Sequence, residues 1–264
     1  MGVLFLFCKI QSNTAQNELY STLKRRITVI KNRTAQLVYQ TVYLTLGLVG
    51  CIASLGIFDN VSQIRWDFYV HFTNISNFLC IGVMLAAFLQ TAKKKEDGYV
   101  TAAPLLKFIG MLGILLTFLV FNLMLAGAEG RDPQANWRVG SLLFHVLLPV
   151  MYIADWFLFY ERKQCKWYYP IASIAFPLSY VLFLLVQAII LRFDASILIP
   201  TTETPLIYPY FFVNLKTQGV PGVLLWIGIL SVAFVAMGFL FLLSDKLGKK
   251  NNQMKAQEKG EVLN

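Results

Sequence analysis

Six long apolar runs leave this chain little choice of fold. A hydrocarbon core about 30 Å thick is crossed by roughly 20 helical residues, and each run has about that length. The runs lie at 36–58, 68–90, 105–125, 139–159, 169–191 and 220–243. Hydrophobic residues make up 57% of the 264-residue chain and charged residues 14%, which excludes an ordinary soluble domain. The sequence therefore predicts an all-α polytopic membrane protein, a bundle of six transmembrane helices.

The distribution of Lys and Arg predicts how this bundle is oriented. One set of alternate segments holds 18 of these residues, including Lys107, and the other set holds five. Cytoplasmic loops carry the excess of positive charge, so both termini are expected on the cytoplasmic side of the cell membrane. The chain then divides into a basic amino-terminal segment at 1–35, a transmembrane domain at 36–243 and a Lys-rich cytoplasmic tail at 244–264. The net charge of +9 follows from this topology and from contact with anionic lipid headgroups, and it calls for no nucleic-acid partner.

One outer connection is much longer than the others. It runs from 192 to 219 and contains three prolines and the aromatic stretch LIYPYFFV. It is either a lid over an outward-facing cavity or an interfacial loop that joins two helix ends. In the fifth run, Pro177 predicts a kink, because proline removes a backbone donor.

The motif FTNISN, which opens the second run, is unusually polar for a membrane segment. It carries Thr73, Asn74, Ser76 and Asn77, which together cover about 160° of a helix face. Polar groups in hydrocarbon need partners within the protein. The four side chains are therefore expected to face the interior of the bundle.

The fourth run carries the other unusual residue, His145. Ser141, Tyr152 and Trp156 share its helix face at 100° per residue. Counted at 1.5 Å per residue, Thr73 lies about 9 Å and His145 about 10 Å below the outer helix ends. The two residues are thus predicted to occupy the same layer of the outer leaflet.

A threonine beside a histidine can carry acyl-transfer chemistry. The hydroxyl is a weak nucleophile that needs an adjacent base, which imidazole supplies. The amides of Asn74, Asn77 and Asn122 are candidates for holding an oxyanion. The alternative is that these polar side chains only hydrogen-bond neighbouring helices together.

Other chemistry finds little support in the sequence. With two histidines and no Cys/His spacing pattern, neither a metal site nor a cofactor is expected. Asp155 is expected to reach the inner interface or to pair with Arg162 or Lys163. No paired intramembrane charges of the kind expected in an ion-coupled transporter are predicted.

Three motifs together resemble those of a known family. They are FTNISN in the second run, HVLLPVMYIADW in the fourth and IYPYFFVNL before the sixth. The chain resembles the Pr6Pr family of bacterial six-span membrane proteins, which is distantly similar to the androgen-induced gene 1 and androgen-dependent TFPI-regulating proteins. The eukaryotic relatives are threonine hydrolases that cleave fatty acid esters of hydroxy fatty acids. The resemblance implies that Thr73 is the nucleophile and His145 its partner.

Two functions of different classes follow from the sequence. The first is an intramembrane hydrolase of lipid-like acyl esters, from which an acyltransferase is not distinguished. The second is a non-enzymatic membrane protein that binds or moves a lipid or small molecule, or serves as a scaffold. Membrane lipids are expected partners in both, and a lipid ester is the expected substrate in the first.

Overall fold

The computed structural model describes residues 30–58, 66–128, 133–193 and 208–247. Within these ranges the chain is helical and contains no strand, and six helices are long and apolar enough to cross a membrane. The prediction of an all-α six-helix bundle is confirmed, and the chain is a multi-pass membrane protein. Most of the segment at 1–35, the tail beyond 247 and the connection at 194–207 lie outside the described residues.

We number the membrane helices α1 to α6. They are α1 (Arg33–Ser54), α2 (Phe72–Lys93), α3 (Pro104–Val120, continued by a π-helical turn at Phe121–Leu125), α4 (Val139–Leu142, a π-helical turn at Leu143–Leu147, and Leu148–Leu158), α5 (Tyr169–Ala172 and Ala175–Phe193) and α6 (Leu215–Leu247). Short 3-10 turns cover Trp66–Val70, Pro133–Trp137 and Phe211–Val213. Inner and outer refer below to the orientation that the charges predict.

Local signals in the sequence explain several helix ends and breaks. The Asn32 side chain accepts from the Ala35 amide at 2.8 Å and caps the start of α1. In α5 the helix is interrupted after Ala172. Pro177 cannot donate to the Ser173 carbonyl four residues earlier, and the break lies near the start of α5 and not near its middle, where a kink was expected. Gly219 has a φ of 62° near the start of α6, a conformation that favours glycine.

The core lies between α1, α2, α3 and α4, and α6 packs against α3 and the first turn of α5. Close packing of α1 depends on Gly47 and Gly50, which face Ile81 and Phe144. At the inner end, Val100 and the strand-like stretch at Tyr160 form an isolated bridge, and the Tyr160 hydroxyl donates to the Ala102 carbonyl at 2.6 Å. The inner loops therefore close over the core.

A buried ion pair joins α3 to α4 and corrects three expectations. Lys107 Nζ lies 2.6 Å from Asp155 Oδ2, and the two side chains are only 2% and 1% exposed. Lys107 is therefore inside the bundle and not in an inner loop. The expected pairing of Asp155 with Arg162 or Lys163 is wrong. The expectation that the bundle contains no paired intramembrane charges is also wrong. Sequence periodicity did not place Lys107 on the helix face that meets α4.

Candidate functional site

Two of the polar side chains in the FTNISN motif tie α2 to its surroundings. The Asn74 amide donates to the Phe68 carbonyl at 2.6 Å and holds the preceding 3-10 turn. The Ser76 hydroxyl donates to the Thr73 carbonyl at 3.0 Å and contacts the Thr117 hydroxyl of α3 at 2.9 Å. Thr73, Ser76 and Asn77 are buried. The predicted interior face is confirmed for these three residues.

Asn77 and Asn122 donate to two successive carbonyls of α4. Asn77 Nδ2 lies 3.0 Å from the Phe144 carbonyl, and Asn122 Nδ2 lies 3.3 Å from the His145 carbonyl. These carbonyls stand five and four residues before Pro149, which has no N–H to offer either of them. In a membrane such carbonyls need other donors. The two asparagines therefore compensate for a proline inside a transmembrane helix.

Because of this role, the side-chain amides of Asn77 and Asn122 have no hydrogen left to donate to an oxyanion. The second hydrogen of the Asn77 amide goes to the Thr73 carbonyl at 2.8 Å, and that of Asn122 goes to the Phe118 carbonyl at 2.8 Å. An amide nitrogen has two donors in all. The geometry thus gives Asn77 and Asn122 a structural role. The Asn74 amide donates one hydrogen to the Phe68 carbonyl.

The Asn77→Leu substitution tests this interpretation. We expect it to lower the free energy of unfolding by about 1–3 kcal/mol, because the Phe144 carbonyl is left buried and unsatisfied. In a Pro149→Ala background the restored N–H relieves that carbonyl, so the same substitution should cost less. Chemical unfolding of the four variants in detergent measures the difference, and equal costs in both backgrounds would contradict the account.

A cavity opens between α2, α3, α5 and α6 in the outer half of the bundle. The cavity has a volume of about 70 Å³. Its wall is mostly aliphatic and aromatic, and none of the described residues that line it is charged. Its polar groups come from Thr73, Thr117, Tyr180, Tyr210 and Ser231.

Thr73 is the one residue of the four polar positions in the motif that lines this cavity. The side chains of Thr73 and Tyr180 lie beside the Tyr210 hydroxyl. Burial raises the pKa of Tyr210 above its ordinary value, and the neighbouring Thr73 and Phe72 groups oppose this shift only in part. Tyr210 is therefore a protonated neighbour of Thr73 at neutral pH and not a base.

His145 lies beside the cavity and not in its lining. Its ring stacks on Phe121 with a centroid distance of 3.6 Å, and Phe121 lines the cavity together with Thr73. His145 Nδ1 is 3.0 Å from the Ser141 carbonyl and 3.3 Å from the Ser141 hydroxyl. The contacts of the described residues do not include a hydrogen bond between Thr73 and His145. The catalytic roles of both residues remain predictions.

Sequence reasoning missed two residues at this site. Tyr210 lies on the connection before α6, and helix periodicity carries no information on where such a residue folds back. His71, which immediately precedes α2, packs its ring edge-on against Tyr210 with centroids 6.5 Å apart. His71 is therefore connected to the cavity through Tyr210. The position of His71 at the outer end of α2 did not predict this contact.

The described residues include no group of three or more His, Cys, Asp or Glu side chains that could hold a metal ion. Comparison of the chain with protein-family models, with curated proteins and with solved structures found no match in any of the three. The assignment of function therefore rests on the outer cavity, its uncharged lining and the hydroxyl pair of Thr73 and Tyr210.

Proposed function

We propose that this chain binds a neutral, single-chain lipid-like molecule in its outer cavity, within the cell membrane. The observation that carries the proposal is the cavity lining, which is apolar along its length and has hydroxyl groups but no charged side chain among the described residues. An uncharged site disfavours a ligand with a formal charge, since that charge would be desolvated without a counter-ion. Hydroxyl or carbonyl oxygens on the ligand match the donors and acceptors of Thr73 and Tyr210.

The depth of the cavity suits an acyl chain from one leaflet. Thr73 and Tyr210 lie at its outer end, and Ser231 lies about 15 Å along α6 from Pro221, near the middle of a hydrocarbon core about 30 Å thick. Leu178 lines the cavity and is 41% exposed. We propose that a chain in the outer leaflet enters the site past this residue.

A pair of neighbouring substitutions on α6 tests the binding site. Ser231 lines the cavity, whereas Val232 is 71% exposed on the surface. Ser231→Trp fills the cavity, and we expect it to abolish most of the saturable labelling by a photoreactive monoacylglycerol in nanodiscs. Val232→Trp adds the same side chain to the lipid-facing surface and should leave the labelling unchanged.

Competition by a neutral and by a charged lipid provides a second test of the same site. An excess of unlabelled monoacylglycerol should remove the labelling, whereas a fatty acid at neutral pH should compete poorly because its carboxylate finds no cation in the cavity. Equal loss of labelling in Ser231→Trp and Val232→Trp, or equal competition by the two lipids, would count against the proposed site.

A threonine hydrolase of lipid-like acyl esters, or the related acyltransferase, is the second candidate. The position of Thr73 on the cavity wall favours it, because a bound ester could meet that hydroxyl. The reaction also needs a base within hydrogen-bond reach of the hydroxyl, and the titratable group described beside Thr73 is a protonated tyrosine. Binding is therefore the better supported function. The proposed relationship to the Pr6Pr family, which rests on the three sequence motifs given above, is part of this second proposal.

Variants of Thr73 separate the two candidates. If the site only binds, Thr73→Ser should match wild type, and Thr73→Ala should weaken binding by about 0.6–1.7 kcal/mol, the range for a hydrogen bond in a membrane. If the site hydrolyses esters, Thr73→Ala should lose all turnover while the folded protein still elutes normally. Release of fatty acid from a fluorogenic lipid ester distinguishes these results, and turnover that His145→Ala leaves intact would exclude His145 as the base.

A further inference from the structure

Two facing rows of buried polar atoms lie in the inner half of the bundle, away from the outer cavity. One row is on α1 and consists of Gln36 Oε1, Gln40 Oε1 and the Tyr43 hydroxyl. The other is on α4 and consists of the Tyr152 hydroxyl, Asp155 Oδ1 and Trp156 Nε1. All six residues are at most 1% exposed, and none of these six atoms has a hydrogen-bond partner within the described residues.

The spacing of each row places its members on one helix face. Positions 36, 40 and 43 follow the i, i+4, i+7 pattern, and positions 152, 155 and 156 follow i, i+3, i+4. The two faces meet, because Tyr39 of α1 donates to the Met151 carbonyl of α4 at 2.6 Å and the rings of Tyr43 and Tyr152 lie 5.9 Å apart. The unpartnered atoms therefore share one interface.

The members of the two rows do not bond to one another. The Gln36 and Gln40 amide nitrogens donate to the Gly98 carbonyl and the Thr91 hydroxyl, so an oxygen is what each leaves without a partner. Lys107 occupies only one carboxylate oxygen of Asp155. Three of the six atoms are therefore acceptors, and the two tyrosine hydroxyls and the indole N–H are donors. Because no donor lies within hydrogen-bond distance of an acceptor, a small molecule that both donates and accepts is suited to bridge them.

We infer that this interface binds internal water, which forms a short file from the inner end of α1 to the Lys107–Asp155 pair. Water has the two donors and two acceptors that the rows require, and buried waters characteristically bridge polar groups that would otherwise be unsatisfied. Gln36 also donates to the Ile30 and Gly98 carbonyls in the inner loops, so the file begins at the inner surface. It gives the buried ion pair contact with water from that side.

Hydroxyl-radical labelling of purified protein in isotopically labelled water tests this inference. Radicals generated beside a bound water oxidise the side chains that contact it. Tyr160 is a matched control, since it is buried and its hydroxyl donates to the Ala102 carbonyl. We expect Tyr43 and Tyr152 to be labelled several-fold faster than this control, with oxygen that comes from the water.

A variant links the labelling to the row itself. Gln40→Leu removes one acceptor from the middle of the α1 row and should reduce labelling of Tyr43 while leaving Tyr160 unchanged. The wild-type comparison stands even if this variant folds poorly. Labelling of Tyr43 and Tyr152 at the rate of Tyr160 would show a dry interface and would overturn the inference.

Discussion

Replacing Lys107 with methionine is expected to lower the free energy of unfolding by about 3–5 kcal/mol. The substitution keeps most of the side-chain volume but leaves the Asp155 carboxylate buried without its partner at 2.6 Å. The Lys107 ammonium also lies 3.5 Å from the centre of the Tyr152 ring, and this cation–π contact is lost as well. Chemical unfolding in mixed detergent micelles measures the change.

A double variant and a surface variant make this prediction specific. In Lys107→Met/Asp155→Leu no charge is left uncompensated, so we expect much of the lost stability to return. Lys93→Met, at the exposed inner end of α2, should change stability by less than about 0.5 kcal/mol. A single variant no less stable than the double variant would contradict a buried ion pair whose members depend on each other.

The Gly50→Ala substitution is expected to have the second largest effect. A Cβ atom at this position would lie 2.2 Å from Cε1 and 2.7 Å from Cδ1 of Phe144, which is 2% exposed and has little room to move. Overpacking of this kind costs about 1–3 kcal/mol, and thermal unfolding followed by loss of monomeric protein reports it. Gly82 offers a control on the same type of helix, because a Cβ there meets no atom within 4 Å.

Second-site changes test the cause of that loss. Phe144→Leu should restore part of the stability of Gly50→Ala, since it removes the ring atoms that the new methyl group meets. Gly82→Ala should be neutral or stabilise its helix, because alanine has the higher helix propensity. If Gly82→Ala were as damaging as Gly50→Ala, the close approach of α1 and α4 would not explain the result.

The fold could be predicted because the bilayer fixes the length of each element. The run expected at 139–159 forms α4 at Val139–Leu158, and the run expected at 105–125 corresponds to the helix at Pro104–Leu125. The helix expected at 220–243 begins directly after Gly219, whose non-helical backbone separates it from the preceding turn, and it continues to Leu247.

The site was harder to predict, because depth in the membrane can be counted but rotation about a helix axis cannot. A wheel drawn at 100° per residue fails across a π-helical turn, and Leu143–Leu147 contains His145. Tyr152 and Trp156 were expected on the face of His145, yet they are fully buried while His145 is partly exposed. Lys107 was counted with the charges of the inner loop although it falls within the run expected at 105–125, and its rotation toward α4 was not predicted.

The tertiary contacts give the polar residues distinct uses that composition does not separate. Asn77 and Asn122 bond carbonyls near Pro149, Ser76 joins α2 to α3, and Thr73 lines the cavity. A membrane helix can thus carry a polar motif mainly for packing and still present one of its hydroxyl groups to a ligand. This division explains why substitutions at neighbouring positions of the motif should differ in effect.

The most direct test of the proposed binding site is to map where a photoreactive monoacylglycerol attaches to the wild-type protein in nanodiscs. We expect the saturable crosslinks to fall on the cavity wall, in peptides that contain Leu116 to Phe121 and Pro177 to Val181. Labelling confined to lipid-facing positions such as Leu224 and Leu240, 63% and 68% exposed, would contradict a ligand site in the outer cavity.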